Sequence, residues 1–491
     1  MNEDLCRTEM VLSTQGTPTM GWNSWNAFRC YDFDETTILG NADALIELGL
    51  AELGYNTVVV DDGWQAPLRD KDGKLVSCAK RFPHGMAWLS KEIHARGLKF
   101  GLYLAPGKRT CAQIYDAYGR KLEKVRRKNI ASKHTNFNSE EGHDASRENL
   151  ESKELSENFG LEELIAVKPN LFTRLLARME RIKPVPSDSQ RLNNLGSWGR
   201  EASDFAQLLD WEVDYLKYDW CNGNCGTDLC EISAFTKMSD LISQTDREMT
   251  YSISEYGKTQ PWNWAAEIAN SWRTTADIMP TARSIFSIVR KNIEHTSLNQ
   301  PAAFADPDML HVGNLRNREL GRSHIRLWGL MNSPLMIGTD LREYKTGDAV
   351  IETLRDSAAL YLNQHKHISA SEIVADDGIF TELRRDLGQE IARLWVNNSR
   401  FAKKLVLKTT PRDALAASGQ RRIRFFAVGN KYLVQNFSPT SVVDSELNSV
   451  SEGFKLNHEL RRVFESYCKG ETLQIQVPGY SSVVIVAEKT L

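Results

Sequence analysis

The chain has 491 residues, in which 61 basic and 64 acidic side chains leave a formal net charge of −3. That near balance excludes nucleic acid as the main partner, because phosphate binding needs a concentrated positive field. Apolar residues make up 41% and charged residues 25% of the chain, which is typical of a folded protein and not of a disordered one. No apolar run approaches the ~18 residues of a membrane helix, so we expect no membrane partner.

The amino terminus carries acidic residues where a signal peptide carries basic ones, and no apolar segment follows them. The sequence as given therefore predicts an intracellular protein, an already processed one or an incomplete gene model. The 8 cysteines are too few for a disulfide scaffold, although they suffice for a few bridges.

Short β-rich runs alternate with helical patterns from Met20 to about Asn363. The predicted strands cover 56–60, 98–104, 213–218 and 249–253, and the predicted helices cover 36–53, with Asp34 as N-cap, and 199–211. Such alternation predicts βα units and a parallel sheet. Polar residues follow the strands and no glycine-rich phosphate loop accompanies them, which favours a (β/α)₈ TIM barrel over a doubly wound sheet. We therefore predict a catalytic barrel over residues 1–365.

The pattern changes after about Lys366 to short apolar runs separated by turns. These runs lie at 378–383, 390–395, 422–428 and 481–486. Because few helical patterns accompany them, we predict a C-terminal antiparallel β-sandwich domain over residues 366–491.

A stretch at about 113–194 interrupts the barrel pattern. It is rich in Lys, Arg, Glu, Ser and Asn, and its middle, 121–157, is typical of a solvated or disordered segment. Residues 170–182 place apolar side chains on one helical face that ends before Pro184. We interpret the stretch as a surface insertion; a lid, an assembly helix and a mis-joined exon are the alternatives.

Tyr215, Lys217 and Asp219 occupy alternate positions of one predicted strand, so their side chains face the same way. A lysine beside an aspartate at the end of a barrel strand favours the ionised carboxylate. That arrangement suits a nucleophile or a clamp on sugar hydroxyls, and a buried ion pair without a catalytic role is the alternative.

Three further polar clusters lie near predicted strand ends, namely Asp61-Asp62, Arg273 to Asp277, and Asp306-Pro307-Asp308. Each cluster alone is explained equally well by a turn or a cap. Together, and with many tryptophans, they indicate a sugar site, because carboxylates bind hydroxyls and aromatic faces cover C–H surfaces. The competing acid-rich site is a metal centre, but no paired histidines accompany these strands.

Several longer motifs resemble the α-galactosidases of glycoside hydrolase family 27. They lie at 20–26, 61–64, 101–103, 108–112, 215–221, 272–278 and 306–314. The resemblance covers about Met20 to Asn363 apart from the insertion, and it implies a (β/α)₈ barrel followed by an antiparallel β domain. It also implies a retaining hydrolase of terminal α-D-galactosyl residues that acts on galactoside oligosaccharides or glycoconjugates without a metal or cofactor. Family members suggest a secreted or lysosomal or vacuolar location, and a homodimer is compatible with the resemblance.

The resemblance assigns roles to individual residues. Asp219 falls on the family nucleophile and Asp277 on the general acid/base, whose carboxyl groups should lie about 5–5.5 Å apart in a retaining site. The positions that line the galactose pocket fall on Trp25, Asp61, Asp62, Tyr103, Lys217, Glu255, Arg273 and Asp308. A family disulfide beside the nucleophile falls on Cys111 and Cys221.

The sequence departs from the family pattern at several positions. Ser254 and Tyr256 flank Glu255 where the family commonly has Cys and Trp. Two further departures predict local differences. Gly63 stands where many members have a cysteine paired with the place of Cys30, and Trp220 replaces the usual Asn or Gly, which predicts a narrower pocket. The alternative activity is that of an α-N-acetylgalactosaminidase or another glycosidase of the family. A non-catalytic sugar-binding protein is the alternative from a different class, and the presence of both Asp219 and Asp277 argues against it.

Overall fold

The computed structural model describes residues 16–30, 33–113, 195–221, 228–407, 423–428, 431–435 and 473–488. The predicted insertion, apart from Gln113, and its predicted helix lie outside the described residues. None of the helices within the described ranges combines the length and the apolar content that crossing a bilayer requires.

The first sheet is parallel, and the described residues contribute eight strands to it. These are β1 (Met20–Asn23), β2 (Thr57–Val60), β3 (Lys99–Leu104), β4 (Tyr215–Asp219), β5 (Thr250–Ser254), β6 (Ser271–Arg273), β7 (Phe304–Asp306) and β8 (Leu335–Ile337). Their order is β7-β6-β5-β4-β3-β2-β1-β8. Leu310, after β7, forms a parallel bridge with Ile337 of β8, so the two ends of this order meet. The closed order confirms the predicted (β/α)₈ barrel.

Helices alternate with the barrel strands, as the sequence pattern predicts. They are α1 (Trp25–Phe28), α2 (Glu35–Glu47), α3 (Gly85–Ala95), α4 (Glu201–Asp210), α5 (Asp228–Ser243), α6 (Ala282–Asn292), α7 (Arg318–Leu330), α8 (Ala349–Leu354) and α9 (Ser357–Asn363). Asp34 Oδ1 accepts a hydrogen bond from the Thr37 amide at 2.8 Å, which confirms the predicted N-cap of α2. This helix ends earlier than predicted, and Ala51–Leu53 forms a separate 3₁₀ turn.

The strand β4 shows how the barrel separates structural from functional side chains. Leu216 and Tyr218 are fully buried, and the Tyr218 ring lies 5.9 Å from that of Phe235 on α5. The alternate residues, Lys217 and Asp219, therefore face away from this helix. Because a parallel strand is covered by helices on one side, only its other face is left for a site inside the barrel.

The strands after α9 are antiparallel in every described pairing. They are β9 (Ser371–Asp376), β10 (Phe380–Asp386), β11 (Glu390–Asn397), β12 (Lys403–Leu407), β13 (Ile423–Val428), β14 (Lys431–Gln435), β15 (Leu473–Val477) and β16 (Ser482–Glu488). One sheet has the order β14-β13-β16-β11-β10-β9, and a second pairs β12 with β15. This arrangement confirms the predicted C-terminal antiparallel β domain, whereas its boundary at 365/366 stays a prediction.

The chain divides into two compact units. The first takes in Trp22–Ala44 and Asn56–Glu255, and the second takes in Leu45–Tyr55 and Tyr256–Leu491. The first unit thus holds strands β2 to β5, and the second holds strands β6 to β16.

Candidate active site

Lys217 is the centre of a charged cluster at the carboxyl ends of the strands of the first unit. Its ammonium lies 2.8 Å from Asp61 Oδ2 and 3.8 Å from Asp219 Oδ2. All three side chains are largely buried, and the lysine also lies 5.7 Å from the centre of the Tyr103 ring. We call Asp61, Asp62, Tyr103, Lys217 and Asp219 the β4 cluster. The closer partner of the lysine is Asp61 and not its chain neighbour Asp219.

Two residues that sequence reasoning did not assign to the site hold Asp61 in place. Asn23 Nδ2 donates to Asp61 Oδ2 at 2.7 Å, and Ser24 Oγ accepts from the Asp61 amide at 3.0 Å. Asn23 Oδ1 in turn accepts from the Trp25 amide at 2.8 Å. Both residues lie in the family motif at 20–26, but only their contacts in the folded protein show that they hold Asp61. Asp61 therefore has a fixed orientation, and Lys217 with it.

Asp62 is a buried carboxyl of the β4 cluster whose pKa is raised. It is buried, and its Oδ2 accepts a hydrogen bond from the Ala112 amide at 2.6 Å. Burial raises the pKa of Asp62 to about 7, with a further rise from Asp61, although hydrogen bonds from Ala112 and Thr110 oppose it. The Asp62 carboxyl can therefore carry a proton near neutral pH, whereas Asp61 has a lysine as its counterion.

A disulfide joins Cys111 and Cys221 beside Asp219 and Tyr103. The Cys221 sulfur lies 3.8 Å from Asp219 Oδ1, and the Tyr103 hydroxyl accepts from the Cys111 amide at 3.2 Å. Two cysteines and an aspartate at this spacing resemble a set of metal ligands. They do not fit a metal, because a thiolate is the ligand form of cysteine and both sulfurs are in the disulfide.

The structure places Trp25, Glu255 and Trp220 in different surroundings. Trp25 is half-buried in α1, with the Arg29 guanidinium 5.4 Å from its ring centre, and Glu255 is buried directly after β5. Trp220 is buried too, and its ring lies 6.1 Å from that of Phe235 on α5. The Trp220 ring therefore lies near α5, and the predicted narrowing of the pocket stays a prediction.

The departure at Gly63 also has a structural explanation. Gly63 has a φ of 100°, and a Cβ atom there would lie 2.7 Å from the Cβ of Cys30, so a larger residue requires the two segments to shift. The Arg81 guanidinium donates to the carbonyls of both Cys30 and Gly63. A cation thus links these segments at the position where many family members have a disulfide.

Arg273 organises a second cluster within the second unit. Its Nη2 lies 2.9 Å from Asp308 Oδ2 and 3.2 Å from Asp277 Oδ1, and it donates to the Thr275 carbonyl at 3.1 Å. Burial disfavours the guanidinium charge, but Asp308 and then Asp277 raise the pKa of Arg273 above its usual value. We call Arg273, Asp277 and Asp308 the β6 cluster.

The two carboxylates of the β6 cluster differ in exposure. The Asp277 side chain is 54% exposed, whereas the Asp308 side chain is 4% exposed. Asp308 has a φ of 89°, a backbone conformation that non-glycine residues rarely adopt and that is often held at functional sites. Asp308 therefore combines backbone strain with burial beside Arg273, and Asp277 stays open to solvent.

A tight turn covers Arg273. The Tyr256 ring centre lies 5.8 Å from the Arg273 guanidinium carbon, a cation–π distance. The turn continues through Gly257, whose φ is 78° and where a Cβ atom would lie 2.3 Å from the Thr274 carbonyl oxygen. Only glycine allows this close approach, so Gly257 is what lets Tyr256 cover the arginine.

Buried carboxylates, one lysine and one arginine lie at the carboxyl ends of barrel strands in both units. The carboxyl ends carry the active sites of TIM-barrel enzymes, and groups of this kind bind sugar hydroxyls. The fold and these two clusters of side chains are together typical of the barrel glycoside hydrolases.

Comparison with known proteins identifies the family. Residues 17–142 and 192–365 match the family described as Alpha galactosidase A. Alpha-galactosidase 2 of Arabidopsis thaliana is 31% identical over 351 residues, which are 71% of this chain and 67% of that protein. Alpha-galactosidase A of Cellvibrio japonicus is 31% identical over 361 residues, 71% of this chain and 68% of that protein. The crystal structure of alpha-galactosidase I from Mortierella vinacea has a TM-score of 0.67 at 22% identity, over 97% of this chain and 98% of that one.

The chain belongs to this family, the α-galactosidases of glycoside hydrolase family 27. The predicted family and enzyme class are thereby confirmed, and so is the disulfide between Cys111 and Cys221. The roles of the individual site residues stay predictions.

Proposed function

We propose that this protein is a retaining exo-glycosidase that removes terminal, non-reducing α-D-galactosyl residues from galactosides by double displacement. The family supports the substrate. The observation that carries the mechanism is the environment of Asp219, a buried carboxylate at the end of β4 with the Lys217 ammonium 3.8 Å away. A cation at that distance favours the ionised form that a nucleophile needs.

In the first step an Asp219 oxygen attacks the anomeric carbon of the galactosyl group. The bond from this carbon to the leaving oxygen breaks, and Asp277 gives its proton to that oxygen. The products are a β-linked galactosyl-Asp219 ester, the departed alcohol and an ionised Asp277. Asp277 must therefore begin the cycle protonated and Asp219 ionised.

In the second step a water molecule attacks the same carbon and releases Asp219. Asp277 now acts as the base and takes a proton from that water, which restores both carboxyl groups to their starting states. Two inversions give α-galactose. The 54% exposure of the Asp277 side chain supports this role, because the group must meet both the leaving oxygen and water.

The remaining predicted pocket residues have the chemistry to bind galactose hydroxyls. We propose that Asp61, Asp62 and Glu255 accept hydrogen bonds from them and that Lys217 and Arg273 donate. Tyr103, Asp308 and Trp25 complete the proposed pocket. Asp61 is already oriented by Asn23 and Lys217, so it would lose little conformational freedom when a sugar binds.

A panel of aryl glycosides on the purified protein tests the substrate. We expect the p-nitrophenyl α-galactoside to have the highest kcat/KM, ahead of the α-N-acetylgalactosaminide and the β-L-arabinopyranoside. A higher value for either of the other two would replace the activity with that of another glycosidase of the family. Binding of galactose without turnover of any substrate would indicate the non-catalytic alternative.

The stereochemistry of the first product tests the mechanism. Proton NMR during turnover should show α-galactose first, with the β anomer growing only by mutarotation. If β-galactose were the first product, a single displacement would have taken place, and Asp219 would not be a nucleophile.

A further inference from the structure

Asp277 lies on a loop that is fixed through the next residue. Ile278 is 1% exposed, and its amide donates to Asp308 Oδ2 at 2.8 Å. That amide belongs to the peptide group that follows the Asp277 Cα. The orientation of Asp277 therefore depends on how firmly the backbone of Ile278 is held.

The next peptide group, between Ile278 and Met279, is held at both ends. The Met279 amide donates to Ser284 Oγ at 2.9 Å, and the Ile278 carbonyl lies 3.3 Å from Nε2 of His311. His311 lies after β7 and is 2% exposed, and no step of the proposed reaction uses it. Its ring nevertheless reaches the backbone one residue beyond the proposed acid/base.

Two carbonyl groups determine which nitrogen of His311 carries the proton. The Asn314 amide nitrogen donates to the Gly338 carbonyl at 2.7 Å, and a carbonyl can only accept, so this nitrogen is the –NH₂ group. The same nitrogen lies 3.1 Å from Nδ1 of His311, which must therefore accept. The ring proton is then on Nε2 and points to the Ile278 carbonyl, which also only accepts.

We propose that His311 is a positioning residue for Asp277, whose Nε2–H holds the Ile278 carbonyl and thereby fixes the loop that carries the proposed general acid/base. The inference rests on the proposed function. Asp308 and His311 bind the N–H and the C=O of Ile278, so together they restrain the peptide groups on both sides of this residue. A loss of one restraint lets Asp277 move relative to the leaving oxygen, and proton transfer depends steeply on that geometry.

The test compares His311→Leu, which has no hydrogen-bond donor, with His311→Gln, whose amide can donate from a place near that of Nε2. Each variant is assayed with methyl α-galactoside, whose leaving group needs protonation, and with p-nitrophenyl α-galactoside, whose leaving group needs little. We expect His311→Leu to lower kcat/KM for the methyl galactoside about 10- to 100-fold, with a much smaller change for the aryl substrate. The ratio kcat/KM is compared because it reports the first step only, whereas kcat also contains the second step, in which Asp277 acts as base for both substrates. His311→Gln should recover most of the activity on the methyl galactoside.

An equal loss on both substrates, or no loss on either, would overturn the positioning role. Asp277→Ala on the same two substrates separates the possible failures. If Asp277→Ala is selective for the methyl galactoside and His311→Leu is not, only the role of His311 fails. If Asp277→Ala is not selective, the acid/base assignment itself fails.

A measurement on the unsubstituted protein covers the case in which His311→Leu does not fold. Long-range ¹H–¹⁵N correlation spectra distinguish the two neutral tautomers of histidine. We expect the His311 proton on Nε2, assigned by the loss of its signals in His311→Gln. A proton on Nδ1 would overturn the proposal, because Nε2 would then have no hydrogen to donate to Ile278.

Discussion

The β4 cluster and the β6 cluster hold their key carboxylates in opposite ways. Asp219 has a side chain that is 8% exposed, and it lies at the end of a regular strand between a lysine and a disulfide. Asp277 has a side chain that is 54% exposed and lies on a loop, four residues after the arginine that pairs with it. The first carboxylate is held by its own strand. The second is held indirectly, because hydrogen bonds from other parts of the unit fix the backbone of the next residue, Ile278.

This difference matches what each proposed role demands. A nucleophile must stay ionised and aimed at one carbon atom, so burial beside a cation and a rigid strand serve it well. A general acid that later becomes a base must exchange protons with a leaving oxygen and with water, which requires exposure. The comparison also predicts which replacements should impair each cluster. The β4 cluster should be impaired by loss of its own charged side chains, and the β6 cluster by loss of the hydrogen bonds that hold its backbone.

The replacement Asp219→Asn should have the largest effect. An amide is not a nucleophile, so kcat on p-nitrophenyl α-galactoside should fall roughly 10⁴- to 10⁶-fold, as for the loss of an activated nucleophile elsewhere. The thermal unfolding temperature should stay close to that of the wild type. The matched control is Asp210→Asn, at an exposed position that ends α4, which should keep full activity. A near-normal rate for Asp219→Asn would refute its assignment.

The replacement Asp277→Ala should have the next largest effect. The loss of a general acid/base should lower kcat/KM for methyl α-galactoside about 10²- to 10⁴-fold. Azide needs no general base, so it should attack the galactosyl-enzyme formed from the aryl substrate and yield α-galactosyl azide. Thin-layer chromatography and NMR of the product check this outcome. The exposed Asp246→Ala is the control, and azide should not change its rate.

The double replacement Cys111→Ser with Cys221→Ser should affect stability more moderately. The disulfide joins residues 110 positions apart, and its loss should lower the free energy of unfolding by about 2–4 kcal/mol in urea titrations. The half-buried thiol of Cys78 provides a control, since Cys78→Ser removes sulfur without breaking a bridge. Equal stability of the double variant and the control would show that the β4 cluster does not depend on this bridge.

The replacement Asp62→Asn should change the pH dependence of stability, besides removing one proposed contact to galactose. The pKa of Asp62 is raised from 3.8 to about 7 in the folded protein, so between these values the folded state binds a proton that the unfolded state has released. Its contribution to stability is therefore present at low pH and is lost as pH rises towards 7, by at most about 1.4 kcal/mol per pH unit.

Urea titrations at several pH values within that window measure this contribution. The unfolding free energy of the wild type, minus that of Asp62→Asn, should fall as pH rises. The exposed Asp72→Asn should show no such trend. A difference that is independent of pH would mean that Asp62 is ionised throughout the window.

The longer strands were predictable, and the short ones were not. Strands β3 and β4 coincide closely with apolar runs of the sequence, and a run of this length carries a recognisable pattern. Strands β6, β7 and β8 have three residues each, too few for any period to show. Their pairing is decided by the closure of the barrel, which is a contact between distant parts of the chain.

The ion pairs also differ from what the order of the charges along the chain suggests. Lys217 and Asp219 lie two residues apart on one strand, so the sequence suggests that they form the ion pair, yet Asp61, which directly follows β2, is closer to the lysine. His311 gave no signal at all, because its role depends on a carbonyl 33 residues away. A contact between a side chain and a distant backbone group produces no recognisable pattern of residue spacing in the sequence.

The amino-acid sequence by itself determined the alternating βα architecture, the antiparallel character of the C-terminal strands and the family. Each of these follows from local residue patterns or from motifs. Only the tertiary structure decided that Lys217 binds Asp61, that Trp220 lies near Phe235 and that Asp308 and His311 hold Ile278. These contacts join residues from different strands and loops. Their geometry follows from the register of the folded strands, and no stretch of sequence contains that register by itself.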